Sequence, residues 1–286
     1  MFTLAVASGK GGTGKTLVST HLFALAAEKG LRVTLTDCDA EAPDCLLFFK
    51  APQIKSIPVN QLCPRIVSDE CDFCGRCFEW CQYHAVFYLP PGGMIHIIPE
   101  LCHSCGACID ACHTAAVKED YRETGRVNVH SWNHNTVIIE GRTHAGTMSP
   151  VPVIRQAISS ADPDTEWHIL DAPPGTSCPF IHTVSAADFV ILVAEPTPFG
   201  LSDLRQSIDT LNEIGKPYGL IINRCDTGTE DMMKYITERK IPLLMRIPYD
   251  AGIAANYARG SLSIQSHPAI MNDFRKLISQ FVQKWK

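Results

Sequence analysis

A glycine-rich segment near the N-terminus constrains the fold of this 286-residue chain more than any other feature. It reads Gly9-Lys10-Gly11-Gly12-Thr13-Gly14-Lys15-Thr16 and fits the pattern G-x-x-x-x-G-K-[ST] of phosphate-binding loops. The apolar run at residues 2–7 predicts a buried strand before the loop, and residues 15–29 predict a helix after it. Backbone N–H groups and a helix N-terminus then surround a pyrophosphate. The segment therefore predicts a nucleotide site, whereas a flexible glycine turn would need no such context.

Two lysines and a threonine of this loop have separate predicted roles. Lys15 is expected to neutralise the β- and γ-phosphates, and the Thr16 hydroxyl is expected to hold Mg²⁺. Lys10 follows the first glycine directly, which is the mark of the deviant Walker A motif. With it the chain resembles the MinD/Mrp/nitrogenase iron protein group of ATPases. That resemblance implies an ATP-sandwich dimer in which Lys10 reaches the nucleotide of the partner subunit, the alternative being a lysine in a solvated loop.

Acidic residues follow two of the predicted strands. Asp37 and Asp39 end the strand predicted at residues 31–36, and Asp171 ends the strand predicted at residues 167–170. In an open α/β sheet, ligands bind beside the carboxyl ends of the strands. The resemblance implies that Asp39 positions the attacking water and that Asp37 supports Mg²⁺, with a helix-capping aspartate as the alternative. Asp171 has the Walker B position, whose carboxylate orients Mg²⁺-bound water.

The residues after Asp171 read D-A-P-P-G-T, which is close to the switch II signature of Mrp-type scaffold ATPases. Gly175 provides a hinge that can move with the γ-phosphate. Cys178 lies seven residues after Asp171, the offset at which the nitrogenase iron protein has a cluster ligand. The second cysteine of that site is missing here. The resemblance therefore implies an extra labile cluster or a client contact at Cys178, and the alternative is a small buried residue.

The C-terminal half supplies the predicted base pocket. Asn223 follows the strand predicted at residues 218–222, and the resemblance implies that it binds adenine. The N-x-x-D spacing of Asn223 and Asp226 is also typical of guanine recognition, so ATP is favoured but GTP stays open. Pro248 and Asp250 lie in a loop that is predicted to line the same pocket.

The middle of the chain carries a cysteine array with an internal repeat. The two copies read Cys71-x2-Cys74-Gly75-x-Cys77-x3-Cys81 and Cys102-x2-Cys105-Gly106-x-Cys108-x3-Cys112. Every matched position is displaced by 31 residues, which indicates a duplication. The spacing resembles that of bacterial ferredoxins with two [4Fe–4S] clusters, in which the fourth cysteine of each run binds the other cluster.

The ferredoxin resemblance assigns two ligand sets. Cluster 1 takes Cys71, Cys74, Cys77 and Cys112, and cluster 2 takes Cys102, Cys105, Cys108 and Cys81. Zinc is the alternative metal, but a zinc ribbon would leave the third and fourth cysteines of each run unexplained. The sequence departs from ferredoxins after each fourth cysteine, where Gln82 and His113 replace the usual proline.

Composition indicates which kinds of partner and which cellular compartment to expect. Thirteen cysteines in a reducing compartment point to metal or redox chemistry rather than disulfides. A net charge of −5 gives no reason to expect nucleic acid. No apolar run is long enough for stable membrane insertion, and the first strand leaves no room for a signal peptide, so a cytoplasmic protein is expected. The amphipathic helix predicted from Pro268 to Trp285 is interpreted as core packing rather than a membrane tail.

These observations predict an α/β protein with a mostly parallel sheet. Residues 1–50 and 132–286 form the predicted P-loop ATPase domain, and residues 51–131 form an inserted α+β ferredoxin-like domain. The resemblance implies a dimer with an identical chain or a paralogue, using ATP, Mg²⁺ and two [4Fe–4S] clusters. Nucleotide state is then coupled to electron transfer to a redox client, or to assembly of a metal cluster on a client, as in Mrp relatives. A MinD-like spatial regulator is the weaker alternative, because it needs no clusters.

Overall fold

The computed structural model describes residues 1–228, 230–262 and 267–284. Its strands are β1 (Phe2–Ala7), β2 (Val33–Asp37), β3 (Gln53–Leu62), β4 (Arg65–Ile66), β5 (Val86–Leu89), β6 (Met94–Ile97), β7 (Val117–Lys118), β8 (Tyr121–Asn133), β9 (Thr136–Thr143), β10 (Trp167–Asp171), β11 (Phe189–Ala194), β12 (Tyr218–Asn223) and β13 (Leu243–Ile247). Nine strands form one sheet in the order β13-β12-β11-β1-β10-β2-β9-β8-β3. The strands from β13 to β9 run parallel. The prediction of a mostly parallel sheet is therefore confirmed.

Helices cover both faces of this sheet. The helices of the chain are α1 (Lys15–Glu28), α2 (Arg76–Trp80), α3 (Ala107–Ala111), α4 (Val151–Ser159), α5 (Cys178–Ser185), α6 (Pro198–Glu213), α7 (Glu230–Arg239), α8 (Ala251–Ala258) and α9 (Pro268–Lys284). Of these, α2 and α3 pack against each other in the cysteine-rich segment and do not cover the sheet. Leu4 and Val6 of β1 face a core with α1, α8 and α9, while Ala5 and Ala7 face a core with α4 to α7. Side chains alternate along a strand, so a central strand buried on both faces is a continuous apolar run.

The start of α6 differs from the sequence-based prediction. The pattern predicts a helix from Ser202, capped by that hydroxyl, but α6 begins at Pro198. The Thr197 hydroxyl accepts a hydrogen bond from the Gly200 N–H at 3.0 Å and caps the helix instead. Proline is well tolerated in the first helical turn because its missing N–H has no partner there anyway, so the helix extends back to Pro198.

The sheet extends into the segment that the sequence assigns to the insert. β8 pairs antiparallel with β9 on one side and with β3 on the other. The predicted boundary at residues 131/132 falls inside β8, because Val127 and Val129 of this strand pack into the same core as α4. The cysteine-rich unit that projects beyond the sheet comprises residues 63–120, and β3 and β8 lead into and out of it.

The two sequence repeats of this unit adopt matching backbone conformations. α2 and α3 are displaced by 31 residues, and so are the left-handed residues Phe73 and Ser104. β4 of the first repeat pairs with β7 of the second, and β5 of the first pairs with β6 of the second. Each repeat thus completes its strand pairs with the other, which gives the unit an approximate two-fold arrangement.

Helix α9 packs into the core of the sheet. Phe274 and Phe281 are buried, and the Phe281 ring lies 5.2 Å from the Phe189 ring. The core-packing interpretation of this helix is confirmed over its described residues, while Trp285 lies outside them. Within the described part of the chain, no helix combines the length and the apolar character needed to cross a membrane.

A buried histidine makes the stability of this sheet depend on pH. Burial lowers the pKa of His168 to about 4, and its Nε2 lies 2.7 Å from the Thr36 hydroxyl. The unfolded chain therefore binds more protons than the folded chain between the ordinary histidine pKa of about 6.5 and pH 4, so stability falls as the pH drops through that window. The effect reaches about 1.4 kcal/mol per pH unit for one histidine.

We expect His168→Gln to lose less thermal stability than the wild type between pH 7.5 and pH 5. Glutamine keeps a donor for Thr36 but does not titrate in this range. The measurement is the difference in Tm between the two pH values, with the exposed His134→Gln as a control that should follow the wild type. An unchanged Tm difference in His168→Gln would contradict the assignment.

Candidate nucleotide site and cysteine centre

The phosphate-loop backbone is held in place by β12. Gly14, the residue before α1, has a φ of 99°, and a Cβ there would lie 2.5 Å from Nδ2 of Asn223. That Nδ2 donates to the Thr13 carbonyl at 2.9 Å. An amide nitrogen carries two hydrogens, so one is left for a base. The contact explains the glycine at position 14 and shows that Asn223 positions the loop as well as facing the cavity.

A cavity of about 360 Å³ opens over this loop at the carboxyl edge of the sheet. The predicted site residues that line it are Gly11, Gly12, Gly14, Lys15, Thr16, Asp39, Asn223, Pro248 and Asp250. Gly9, Lys10 and Thr13 lie instead on the side of the loop that faces α6 and β11. The Asp250 carboxylate accepts from the Ile253 N–H at 3.0 Å and so caps α8.

Thr16, which the sequence predicts to hold Mg²⁺ with Asp37, contacts Asp171, which is predicted to orient Mg²⁺-bound water. The Thr16 hydroxyl donates to Oδ2 of Asp171 at 2.7 Å. The other oxygen of Asp171, Oδ1, is buried without a hydrogen-bond partner among the described residues. Burial raises the pKa of Asp171 to about 6, and the Lys15 charge opposes that rise. A hydroxyl next to a carboxylate with a free buried oxygen fits a Mg²⁺ ion, which prefers oxygen ligands.

Asp37 organises the segment that follows β2. Its carboxylate accepts the backbone N–H groups of Asp39, Asp44 and Cys45 at 3.1, 2.9 and 2.9 Å. Burial raises the pKa of Asp37 well above its ordinary value, and the nearby Asp171 raises it further. Asp37 therefore folds the loop around the site, in addition to lying beside Asp171.

Asp39 is half-buried and lines the cavity. Burial raises its pKa, while the Lys15 charge lowers it. The structure thus places Asp39 and Lys15 on the same cavity wall, where a carboxylate can orient water near a bound phosphate.

Lys10 lies against its own chain. Its Nζ is 3.8 Å from Oε2 of Glu195, whose other oxygen lies 3.0 Å from a guanidinium nitrogen of Arg224. The sequence predicts no role for Glu195 as a partner of Lys10, since only the fold brings the ends of β11 and β1 together. The role of Lys10 in the partner subunit stays a prediction.

Two further residues line the cavity but belong to no sequence motif. Asp44 lines the cavity, and the Tyr257 hydroxyl donates to its Oδ2 at 3.3 Å. Burial raises the pKa of Tyr257, and the Asp44 charge adds to the rise. No motif marks either residue, because the contact joins the loop after β2 to α8, more than 200 residues apart.

The structure brings the cysteines of predicted cluster 1 together across the two repeats. Burial raises the pKa of Cys77 to about 11, and the nearby thiols of Cys71, Cys112 and Cys74 raise it further. The Nδ1 atom of His113, one of the two residues that replace proline, lies 3.8 Å from Sγ of Cys74. Cys112 thus joins three cysteines of the other repeat.

The cysteines of predicted cluster 2 line one cavity. Cys102, Cys105 and Cys108 of the second repeat surround it together with Cys81 of the first. Burial raises the pKa of Cys108 to about 11, and the thiols of Cys102 and Cys105 contribute.

A backbone N–H group donates a hydrogen bond to the sulfur of Cys71 and another to that of Cys81. The Phe73 N–H points at Sγ of Cys71 at 3.4 Å, and the Ala85 N–H points at Sγ of Cys81 at 3.2 Å. Eight thiols in two groups of four, some with N–H donors, are a donor set that fits iron–sulfur clusters. The metal itself stays a prediction.

Cys178 lies apart from both groups. It is the first residue of α5, directly after the Asp171 segment, and its side chain is exposed. The small-buried-residue alternative is therefore wrong for Cys178, while a role in a dimer or with a client stays a prediction.

A strand, a glycine loop and a helix, with a Thr–Asp pair at the carboxyl edge of a mostly parallel sheet, define a P-loop nucleotide-binding protein. The chain belongs to the CobQ/CobB/MinD/ParA nucleotide binding domain family, whose profile matches residues 4–264. The MinD and ParA members of this family are ATPases.

The chain is also similar to individual proteins. The uncharacterized protein MJ0578 of Methanocaldococcus jannaschii is 32% identical over 222 residues, which cover 77% of each chain. The uncharacterized protein MJ0579 of the same organism is 28% identical over 299 residues, covering 100% of this chain and 97% of its own. The fold is similar to that of the septum site-determining protein MinD complexed with Mg-ADP from Pyrococcus horikoshii, with a TM-score of 0.59, 18% identity, and coverage of 98% of this chain and 95% of that one.

Proposed function

We propose that the chain is an ATP-hydrolysing dimeric switch that carries two [4Fe–4S] clusters and couples its nucleotide state to a partner protein. Electron transfer to that partner, or assembly of a metal cluster on it, is the coupled process. Family membership and the cavity over the phosphate loop support the ATPase part. The two four-cysteine groups support the cluster part.

In the proposed ATP complex, the loop glycines and Lys15 bind the phosphates, and Thr16 and Asp171 hold Mg²⁺, which neutralises charge that develops on the phosphates. Asp39 orients the water for attack on the γ-phosphate. Lys10 leaves Glu195 and reaches the phosphates bound by the partner subunit. The loop glycines Gly11, Gly12 and Gly14, together with Lys15, Thr16 and Asp39, already line the cavity, and the buried Asp171 lies directly behind Thr16. Lys10 lies outside the cavity, against Glu195.

In the proposed cluster complex, each four-cysteine group holds one cluster, which supplies one-electron redox chemistry. Cys74 and Cys105 are the exposed members of the two groups. Each lies in the tight loop of its own repeat, so each cluster has one side close to the surface. Electron exchange with a docked partner needs such an approach.

Hydrogen bonds that lead from the loop around Asp39 to a cleft beside Cys102 are the observation that carries the coupling proposal. The Ala40 carbonyl, next to Asp39, accepts both the N–H and the hydroxyl of Thr143 at 2.8 and 3.0 Å. The next residue, His144, donates its N–H to the Thr124 carbonyl at 2.9 Å. Thr124 lines a small cleft with Cys102 of the second repeat. Movement of the loop around Asp39 is thereby transmitted to the cysteine unit.

Two alternatives for the coupled process follow from different features. Four thiols per cluster leave no open ligand position, which favours permanent clusters and electron transfer. The D-A-P-P-G-T segment, close to the Mrp-type signature, favours an assembly or carrier ATPase. A MinD-like spatial regulator is supported by the family match and by the fold similarity, but it leaves the cysteine array without a role.

The partner subunit is proposed to be an identical chain or a paralogue. Two proteins of one organism, MJ0578 and MJ0579, both match this chain, which is the arrangement a paralogous pair needs. A cytoplasmic location is proposed because reduced thiols are needed to hold the clusters.

The experiment that tests the function uses anaerobically purified full-length protein. We expect about eight irons and eight labile sulfides per chain, with EPR signals of the reduced form that shift when MgATP is added. Thr143→Val removes one hydrogen bond to Ala40 and is expected to reduce the ATP-induced shift while leaving the iron content unchanged.

Three outcomes decide between the candidates. Iron that transfers to an apo-acceptor when ATP is added would favour the assembly role over electron transfer. Zinc in place of iron would reject both cluster functions. Spectra that do not respond to MgATP, in protein that binds the nucleotide, would reject the coupling.

A further inference from the structure

A thiol and three carboxylates meet beneath the nucleotide cavity. One ligand atom each from Asp37, Asp44, Cys45 and Asp171 lies within 4.8 Å of the others. Asp44 is half-buried, and the remaining three side chains are buried. Sγ of Cys45 lies 3.3 Å from Oδ2 of Asp171. Neither Cys45 nor Asp44 has a part in the proposed hydrolysis.

The carboxylates of this group lie close together and include an oxygen without a hydrogen-bond partner among the described residues. Oδ1 of Asp171 is unpartnered among the described residues, although this side chain is only 1% exposed. An unsatisfied buried oxygen next to other carboxylates is the arrangement that a bound cation stabilises.

The thiol decides which cation fits. Mg²⁺ prefers oxygen ligands and octahedral geometry, whereas zinc and related ions accept mixed sulfur and oxygen ligands in a four-coordinate site. Four converging atoms, one of them sulfur, match the second description. Separations below 4.8 Å need only a small contraction to surround an ion with metal–ligand distances of about 2.0–2.3 Å.

We propose that, in the nucleotide-free protein, Asp37, Asp44, Cys45 and Asp171 form a binding site for a thiophilic divalent cation of the zinc class. Binding replaces the S–H bond of Cys45 by an S–metal bond, and the proton passes to solvent without any change of oxidation state. Asp171 serves both this ion and the Mg²⁺ of the proposed ATP complex. The two ions therefore exclude one another, and the thiophilic ion holds the site in its nucleotide-free state.

The test uses ¹¹³Cd²⁺ as the probe and observes it by NMR. The full-length protein is used with the proposed clusters already bound to the eight cysteines of the array, so that these thiols do not take up cadmium. The wild type is expected to show a resonance between those of all-oxygen and all-thiolate cadmium sites, and MgATP should remove it. Cys45→Ala is expected to weaken cadmium binding at this site by about 100-fold or more. Cys38→Ala is the matched control, because Cys38 is equally buried and close by but lies outside the four-residue group.

A mixed-ligand resonance that persists in Cys45→Ala, or that disappears equally in Cys38→Ala, would overturn the proposal. Cys45→Ser provides a second variant should alanine disturb the fold, and it should also lose the sulfur-shifted resonance. The proposed cation site rests on the proposed function in that both sites use Asp171. Binding of a fluorescent ATP analogue is therefore measured in a separate experiment, with Mg²⁺ and without cadmium. Protein that binds cadmium here but not the nucleotide would reject the ATPase proposal alone, and the reverse result would reject the cation site alone.

Discussion

A Cys74→Ala/Cys112→Ala double variant is expected to retain about four irons per chain, the same as either single variant. Both cysteines lie in the group around Cys77, although they come from different repeats. Loss of either one therefore removes the same cluster. The second change has nothing further to remove, so the two effects are not additive.

The Cys105→Ala/Cys112→Ala double variant is the matched comparison. These two cysteines come from the same repeat but lie in different groups, since Cys105 lines the cavity with Cys81. We expect this double variant to lose nearly all of its iron. Iron and labile sulfide are measured on each variant after identical anaerobic purification. If each repeat instead held its own cluster, the two double variants would exchange their results.

The small apolar core of the cysteine unit explains why the Cys105→Ala/Cys112→Ala variant should lose nearly all of its iron. The buried apolar side chains of the cysteine unit include Cys77, Val86, Ile95 and Val117, a small set for a unit of nearly 60 residues. Small units with few buried apolar side chains commonly gain stability from a bound metal or a disulfide. Binding of each cluster is thus also part of the folding free energy of the unit. The ATPase sheet has its own two large cores and is expected to stay folded in these variants.

The sequence predicted those parts of the site whose geometry is local. The strand before the phosphate loop is a continuous apolar run that is visible in the sequence. The strand predicted at residues 2–7 therefore matches β1. Asp39 and Asp171 follow buried strands directly, and parallel strands bring their carboxyl ends to one edge. The two repeats are visible because equal spacing in a duplication needs no knowledge of the fold.

The sequence did not predict the parts that depend on distant contacts. β3 was missed because it is an edge strand with a largely exposed pattern that includes Pro58, and such a strand shows no regular alternation. Pairing with β8 supplies its order instead. The contacts of Asp44 with Tyr257 and of Lys10 with Glu195 join distant segments of the chain, so neither could be inferred from spacing.

Lys15→Ala and Lys10→Ala are both expected to abolish ATP hydrolysis, but for different reasons. Lys15 is buried at the cavity and faces the proposed phosphates, so its loss should weaken nucleotide binding and lower hydrolysis by about 10²–10³-fold. Lys10 lies outside the cavity, against Glu195. Its loss should leave binding of a fluorescent ATP analogue to the single chain nearly unchanged and remove hydrolysis alone. Equal loss of nucleotide binding in both variants would contradict this separation.

Mixing these two inactive variants decides whether Lys10 acts across the dimer. In an equimolar mixture of identical-chain dimers, about half of the dimers pair one variant with the other. In each such dimer, the Lys10→Ala chain keeps Lys15 and receives Lys10 from its partner, so one complete site is restored. The mixture should then recover about a quarter of the wild-type hydrolysis rate. If Lys10 acted within its own chain, every site in the mixture would lack one lysine and the mixture would stay inactive, because no exchange of subunits could complete it.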